Sequence, residues 1–214
     1  VFKNEYETAA ATFRRSAYNI GNLGDDLPAF TTNLRQVEDC FAQLQALSFK
    51  MRAVAGRLHE GFVKDQELFR EVEKKRVDVL SNIKLVVELG RVRPAKAREV
   101  ILMKLTGALT RLHIEATPSA CGPQKYSLHV DPTIKCSSGY FGPECKLSMA
   151  ALLSQCDTKN TVAEFSLNHD SFKGVDTHQD KKALEDLYNN ISVEKLRPLL
   201  QTGLSSAFPV KRGK

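Results

Sequence analysis

The sequence predicts an all-α protein: an elongated antiparallel helical bundle around one very long helix, carrying a small disulfide-stapled, loop-rich lobe. Three observations predict it. Apolar residues recur about every 3.5 residues from Phe30 to Val86 with no proline between them, the period of a coiled-coil-like seam. Three shorter amphipathic segments are available to cover that seam. Four of the five cysteines fall between residues 121 and 156, in a stretch rich in proline and glycine.

The elements follow in order as one elongated domain over 1–214. The first helix, about 2–20, carries Phe2, Tyr6, Ala9, Phe13, Ala17 and Ile20 on one face and stops at the glycines of "NIGNLGDD". The long helix, about 28–89, opens on Asp25, Asp26 and Pro28, suitable starting residues. Its stripe runs Phe30, Leu34, Val37, Phe41, Leu44, Ser48, Met51, Ala55, Leu58, Phe62, Asp65, Phe69, Val72, Arg76, Val79, Ile83 and Val86. Gly56 and Gly61 lie inside it, each costing about 1 kcal/mol against alanine, and read as a close approach or a slight bend. At 1.5 Å per residue such a helix is a rod of about 90 Å. Asp65 and Arg76 interrupt the stripe too far apart to pair along one helix, and read as solvent-facing or register-setting residues. "GRVRP" turns the chain into a third helix, about 94–116, which folds back on the rod with Ile101, Leu105, Ala108 and Leu112. Residues 117–175 form the loop-rich lobe, with short β-prone pieces such as "YSLHV" and a brief helix at "LSMAALLSQC". The closing helix, about 177–204, has Leu184, Leu187, Ile191 and Leu199, with Pro198 kinking or ending it.

Cys40, Cys121, Cys136, Cys145 and Cys156 are disulfide candidates, because a segment with so little core of its own gains most from staples. No C-x-x-C or zinc spacing occurs, spacing leaves the connectivity open, and the odd count leaves one thiol over. Asn190-Ile191-Ser192 is a glycosylation acceptor pattern. Together these features point to an oxidising, extracellular compartment. The chain starts without Met and has no leader-like apolar run, so it reads as a trimmed piece of a longer protein.

A net charge of +6 concentrates around "GRVRPAKAR" and the final "VKRGK". Without stacking aromatics or a recognisable module, this basicity does not make a nucleic-acid face. The histidines are dispersed and no nucleophile elbow, P-loop or dinucleotide fingerprint is present. His169, Asp170 and Ser171 in "NHDSF" are too local to act as a triad, and Cys40 beside Phe41 reads as packed rather than nucleophilic. The expectation is therefore a protein that is not an enzyme and needs no cofactor or metal. Recognition remains, and the partner-binding candidates are Tyr126, His129, Tyr140 and Phe141, aromatic groups in or beside a stapled loop.

The start "FKNEYETAAATFRRSAY", the rod through "LQALSFKMRAVAGRL" and the return "AREVILMKLTGALTRL", with a cysteine-bearing insertion and a closing helix, resemble a known surface family. The layout is similar to the helical-bundle glycoproteins of African trypanosomes: the variant surface glycoproteins and the receptors for transferrin and complement factor H. That resemblance implies a GPI-anchored cell-surface receptor for a host serum protein, with a factor H-like ligand preferred. A transferrin-type uptake receptor and a non-binding coat protein are its alternatives. Membrane contact would then come only through the anchor. The odd cysteine count and sparse sequons depart from the family, and no binding residue is carried across. Outside the family, the competing reading is an intracellular helical adaptor.

Overall fold

The structure, a computed structural model, describes residues 2–21, 23, 26–117, 121, 126–139, 142–176 and 179–211. It is mixed α/β, and no helix runs through the expected 28–89. The chain divides into two compact units, residues 1–79 with 207–209, and residues 80–206 with 210–214.

The first unit packs helices α1 (Phe2–Gly21), α2 (Leu27–Ala55) and α3 (Phe62–Ser81). The Asp26 side chain caps α2 by accepting a bond from the Ala29 N–H, with Pro28 in the first turn. The expected rod breaks at Gly56, whose φ of 70° is the left-handed conformation that ends a helix, and its N–H donates to the Arg52 carbonyl. α3 therefore returns alongside α2. The ring of Phe41 on α2 stacks on Phe69 of α3, with centroids 4.0 Å apart, and meets Phe13 of α1 at 5.5 Å. The 3.5-residue stripe survives the turn because both arms face this one core. Phe13, Phe30, Leu34, Val37 and Leu44 are among its buried members, each worth about 1.5–3 kcal/mol relative to exposure.

The second unit is built on a mixed sheet, and here the all-α expectation fails outright. β1 (Lys84–Leu89) occupies the expected end of the rod. The expected third helix is α4 (Ala95–Thr110) followed by β2 (Glu115–Thr117), a β1–α4–β2 crossover that sets β1 and β2 parallel. The expected lobe is mostly strand: β3 (Tyr126–Gly139), β4 (Gly142–Gln155), β5 (Thr161–Ser166) and β6 (Lys173–Val175). "LSMAALLSQC" lies on β4, apart from its last residue, and is not helical. The sheet order is β2-β1-β3-β4-β5, with β6 also paired to β4. The closing helix is two helices, α5 (Asp180–Asn190) and α6 (Val193–Leu204), separated by Ile191 and Ser192; Pro198 lies inside α6.

Along β4, Cys145, Leu147, Met149, Ala151 and Leu153 are buried while Lys146, Ser148 and Ala150 between them are exposed. That alternation is the signature of a sheet covered on one face. α5 packs on β6 and β4, and α6 on β5 and α4. The contacts are close: a Cβ at Gly174 would overlap the Ala183 carbonyl and the Leu187 nitrogen of α5. The other face of β3, β4 and β6 is mostly polar and exposed around Thr133, Lys135, Ser137, Lys146, Ser148 and Lys173.

Candidate protein-binding face

The β3–β4 hairpin presents this open face, and both its ends are tied. Cys136 and Cys145 are opposed residues near its tip and form a disulfide. Cys121, ahead of β3, is bonded to Cys156, just past the end of β4. The two cysteines of "CSSGYFGPEC" thus join the paired ends of β3 and β4 by the narrower of two staples. Cys40 on α2 is free and partly buried. Burial, then the nearby Asp39 charge, pushes its thiol pKa up, the direction opposite to an activated nucleophile.

Register places three lysines in one row. Lys135 of β3 pairs with Lys146 of β4, and Lys146 pairs with Lys173 of β6. Paired residues project from the same face, and strands lie about 4.8 Å apart, so the row is about 10 Å long. All three lysines are exposed. Lys146 reaches Glu144 at 3.2 Å; among the described residues neither Lys135 nor Lys173 has a carboxylate within ion-pair distance. Directly opposed like charges destabilise a sheet, so this row is a standing electrostatic cost. Exposed Thr133 and Ser148 flank it on one side, and the row Ser137–Glu144–Val175 on the other. The connection between β5 and β6 adds Asn168, His169 and Asp170, which line a shallow depression with the three lysines.

Further along the same face, His129 lies between two carboxylates, with Nε2 at 3.1 Å from Asp131 and Nδ1 at 3.7 Å from Glu88. The face is therefore of mixed sign: a basic row over β3–β4–β6 and an acidic edge over β1–β3. Among the described residues no cluster of His, Cys, Asp or Glu is arranged to hold a metal ion.

The structure separates residues that the sequence grouped. Tyr126 and His129, three positions apart on β3, fall on opposite faces, and Tyr126 sits on the helix-covered side with Leu128 and Val130. Tyr140 and Phe141 lie outside the described residues. His169 Nδ1 accepts a bond from the Ser171 N–H at 3.1 Å and lies 2.7 Å from the Ser171 hydroxyl. This is a local turn contact. At the acceptor pattern, Asn190 Nδ2 donates to the Lys173 carbonyl at 2.8 Å, and the Ser192 hydroxyl caps α6 by accepting from Lys195 N–H.

Sequence reasoning missed the lysine row, although a signal was present. Lys135 precedes Cys136 and Lys146 follows Cys145, so a disulfide between opposed cysteines of a hairpin sets the two lysines opposite each other. Assigning a helix to β4 concealed it.

No protein-family model matches the chain, and no curated protein matches it. One solved structure that it resembles is a neuraminyllactose-binding hemagglutinin homolog from Helicobacter pylori. The identity is 10%, the match covers 52% of this chain and 80% of the other, and the TM-score is 0.29. A likeness of that size carries nothing over to this chain.

Proposed function

We propose that this chain is an extracellular recognition protein that binds an acidic protein surface through the open face of its disulfide-tied hairpin. The observation that carries the reading is the register row Lys135–Lys146–Lys173, a retained like-charge cost on an exposed face. A partner carrying carboxylates opposite the row would relieve that cost on binding. The mixed sign of the face favours a protein, because Glu88 and Asp131 would repel a continuous polyanion such as a sulfated glycan. The two disulfides are compatible with an oxidising compartment, and among the described residues no helix is long and apolar enough to cross a membrane.

A receptor for a host serum protein, factor H-like or transferrin-like, is a narrower form of this proposal. The layout that suggested it, a long helical rod with a lobe attached, is not the layout found, so that narrower form rests on no element of the fold.

The test immobilises the parent and a Lys135→Ser/Lys146→Ser/Lys173→Ser variant and exposes both to serum proteins and, separately, to heparin. The proposal expects a serum protein held by the parent, released by salt and bound about tenfold more weakly by the variant. Equal capture by both proteins, or retention of heparin alone, would overturn it.

A further inference from the structure

The helical unit has an end that neither its core nor its ion pairs explain. Where α2 turns into α3, Phe49 is 63% exposed, Val54 76%, Leu58 38% and Val63 56%. Phe2, 37% exposed, belongs to the same end: Tyr6, one turn further along α1, stacks on His59 of the connection. Large apolar side chains scattered singly over a surface need no explanation, but several gathered at one end do. Basic residues are interleaved with them. Between residues 49 and 64 the exposed charged residues are Lys50, Arg52, Arg57 and Lys64, with Glu60 the sole acid. On the neighbouring start of α1, Lys3 is accompanied by Glu5 and Glu7, and Glu7 pairs with His59 at 3.1 Å.

We propose that this α2–α3 end docks on an anionic lipid surface. Phe49, Val54, Leu58 and Val63 enter the headgroup layer, and Lys50, Arg52, Arg57 and Lys64 lie against lipid phosphates. Apolar side chains mixed with Lys and Arg are what interfacial binding requires, and each juxtamembrane cation adds attraction to an anionic leaflet. Exposed apolar side chains interleaved with Lys and Arg favour an anionic lipid surface over a partner with its own specific shape. With the neighbouring start of α1 included, Lys3, Lys50, Arg52, Arg57 and Lys64 outweigh Glu5, Glu7 and Glu60, an excess that fits an anionic surface and disfavours a second copy of this same basic end.

Sedimentation with phosphatidylcholine vesicles, with and without phosphatidylglycerol, tests the proposal on the full chain. The parent is expected to bind vesicles containing phosphatidylglycerol and to leave neutral ones in solution. A Phe49→Ser/Val54→Ser variant and a Lys50→Ser/Arg52→Ser/Arg57→Ser variant should each bind about tenfold more weakly. All five positions are exposed, and unchanged helical circular dichroism would show that both variants fold. The lysine-row variant should bind vesicles as the parent does, which separates this surface from the protein-binding face. Failure of the parent to bind phosphatidylglycerol vesicles overturns the proposal. So does full binding by the Phe49/Val54 variant, which would reduce the effect to general basicity. Equal weakening by the lysine-row variant does the same, as does parent self-association abolished by Phe49→Ser, which would assign the end to a second copy.

Discussion

Asp65 shows how much one buried charge organises in the helical unit. Its side chain is 1% exposed and accepts bonds from Tyr6 Oη at 2.7 Å and from Arg14 Nε at 2.6 Å and Nη2 at 3.0 Å. Arg76, 3% exposed, is held in the same way by Glu38 and Glu73. Asp65→Ala would strand Tyr6 and Arg14; with Arg14 partly open to water, a loss of about 2–3 kcal/mol is expected in urea denaturation. Burial first, and the Asp65 hydrogen bond second, push the Tyr6 pKa well above its ordinary 10.0. Above pH 10 the unfolded chain gives up this proton while the folded one keeps it, so stability present below that pH declines as pH rises. Tyr6→Phe should therefore flatten the decline of stability above pH 10; an unchanged slope would contradict the assignment. The sequence placed Asp65 and Arg76 correctly on the apolar stripe. It did not reveal that they are buried, because their partners come from α1, α2 and Glu73 rather than from a mutual pairing.

Among the elements, the break at Gly56 decides the architecture. An added Cβ at Gly56 meets nothing within 4 Å, so Gly56→Ala should cost only the left-handed conformation, about 1 kcal/mol. Gly174→Ala has no such room against α5 and should cost several-fold more in the same denaturation series; comparable losses at the two sites would contradict the packing of α5 on β6. The first helix was readable almost to the residue, and so was the start of α2 at Asp26 and Pro28. The turn was not, because an apolar period continues unchanged through a hairpin whose arms share a core. β4 was misread for a different reason: Met149, Ala150, Ala151, Leu152 and Leu153 favour helix by intrinsic propensity. The alternation of buried and exposed positions from Cys145 to Leu153 prevailed through pairing with β3, a contact that local sequence cannot show.

Over the whole chain, each unit has its own core and only the second contains disulfides. The Cys121–Cys156 bridge spans 35 residues and Cys136–Cys145 spans 9, worth about 4 and 2.5 kcal/mol in the chain-entropy account. Under reductant, hydrogen exchange should therefore accelerate across residues 126–155 and stay slow in α1–α3; equal acceleration in both would contradict separate cores. The cysteine count pointed to the staples but left their connectivity open. The charge pattern put the basicity at "GRVRPAKAR" and "VKRGK" and missed the lysine row, which exists only once β3, β4 and β6 are in register. Affinity against salt concentration, for the serum protein captured by the parent, is the most direct test of the binding face. The account predicts a steep salt-dependent fall for the parent and a weaker, nearly flat curve for the Lys135/Lys146/Lys173 serine variant, with parallel curves of equal affinity as the contradicting result.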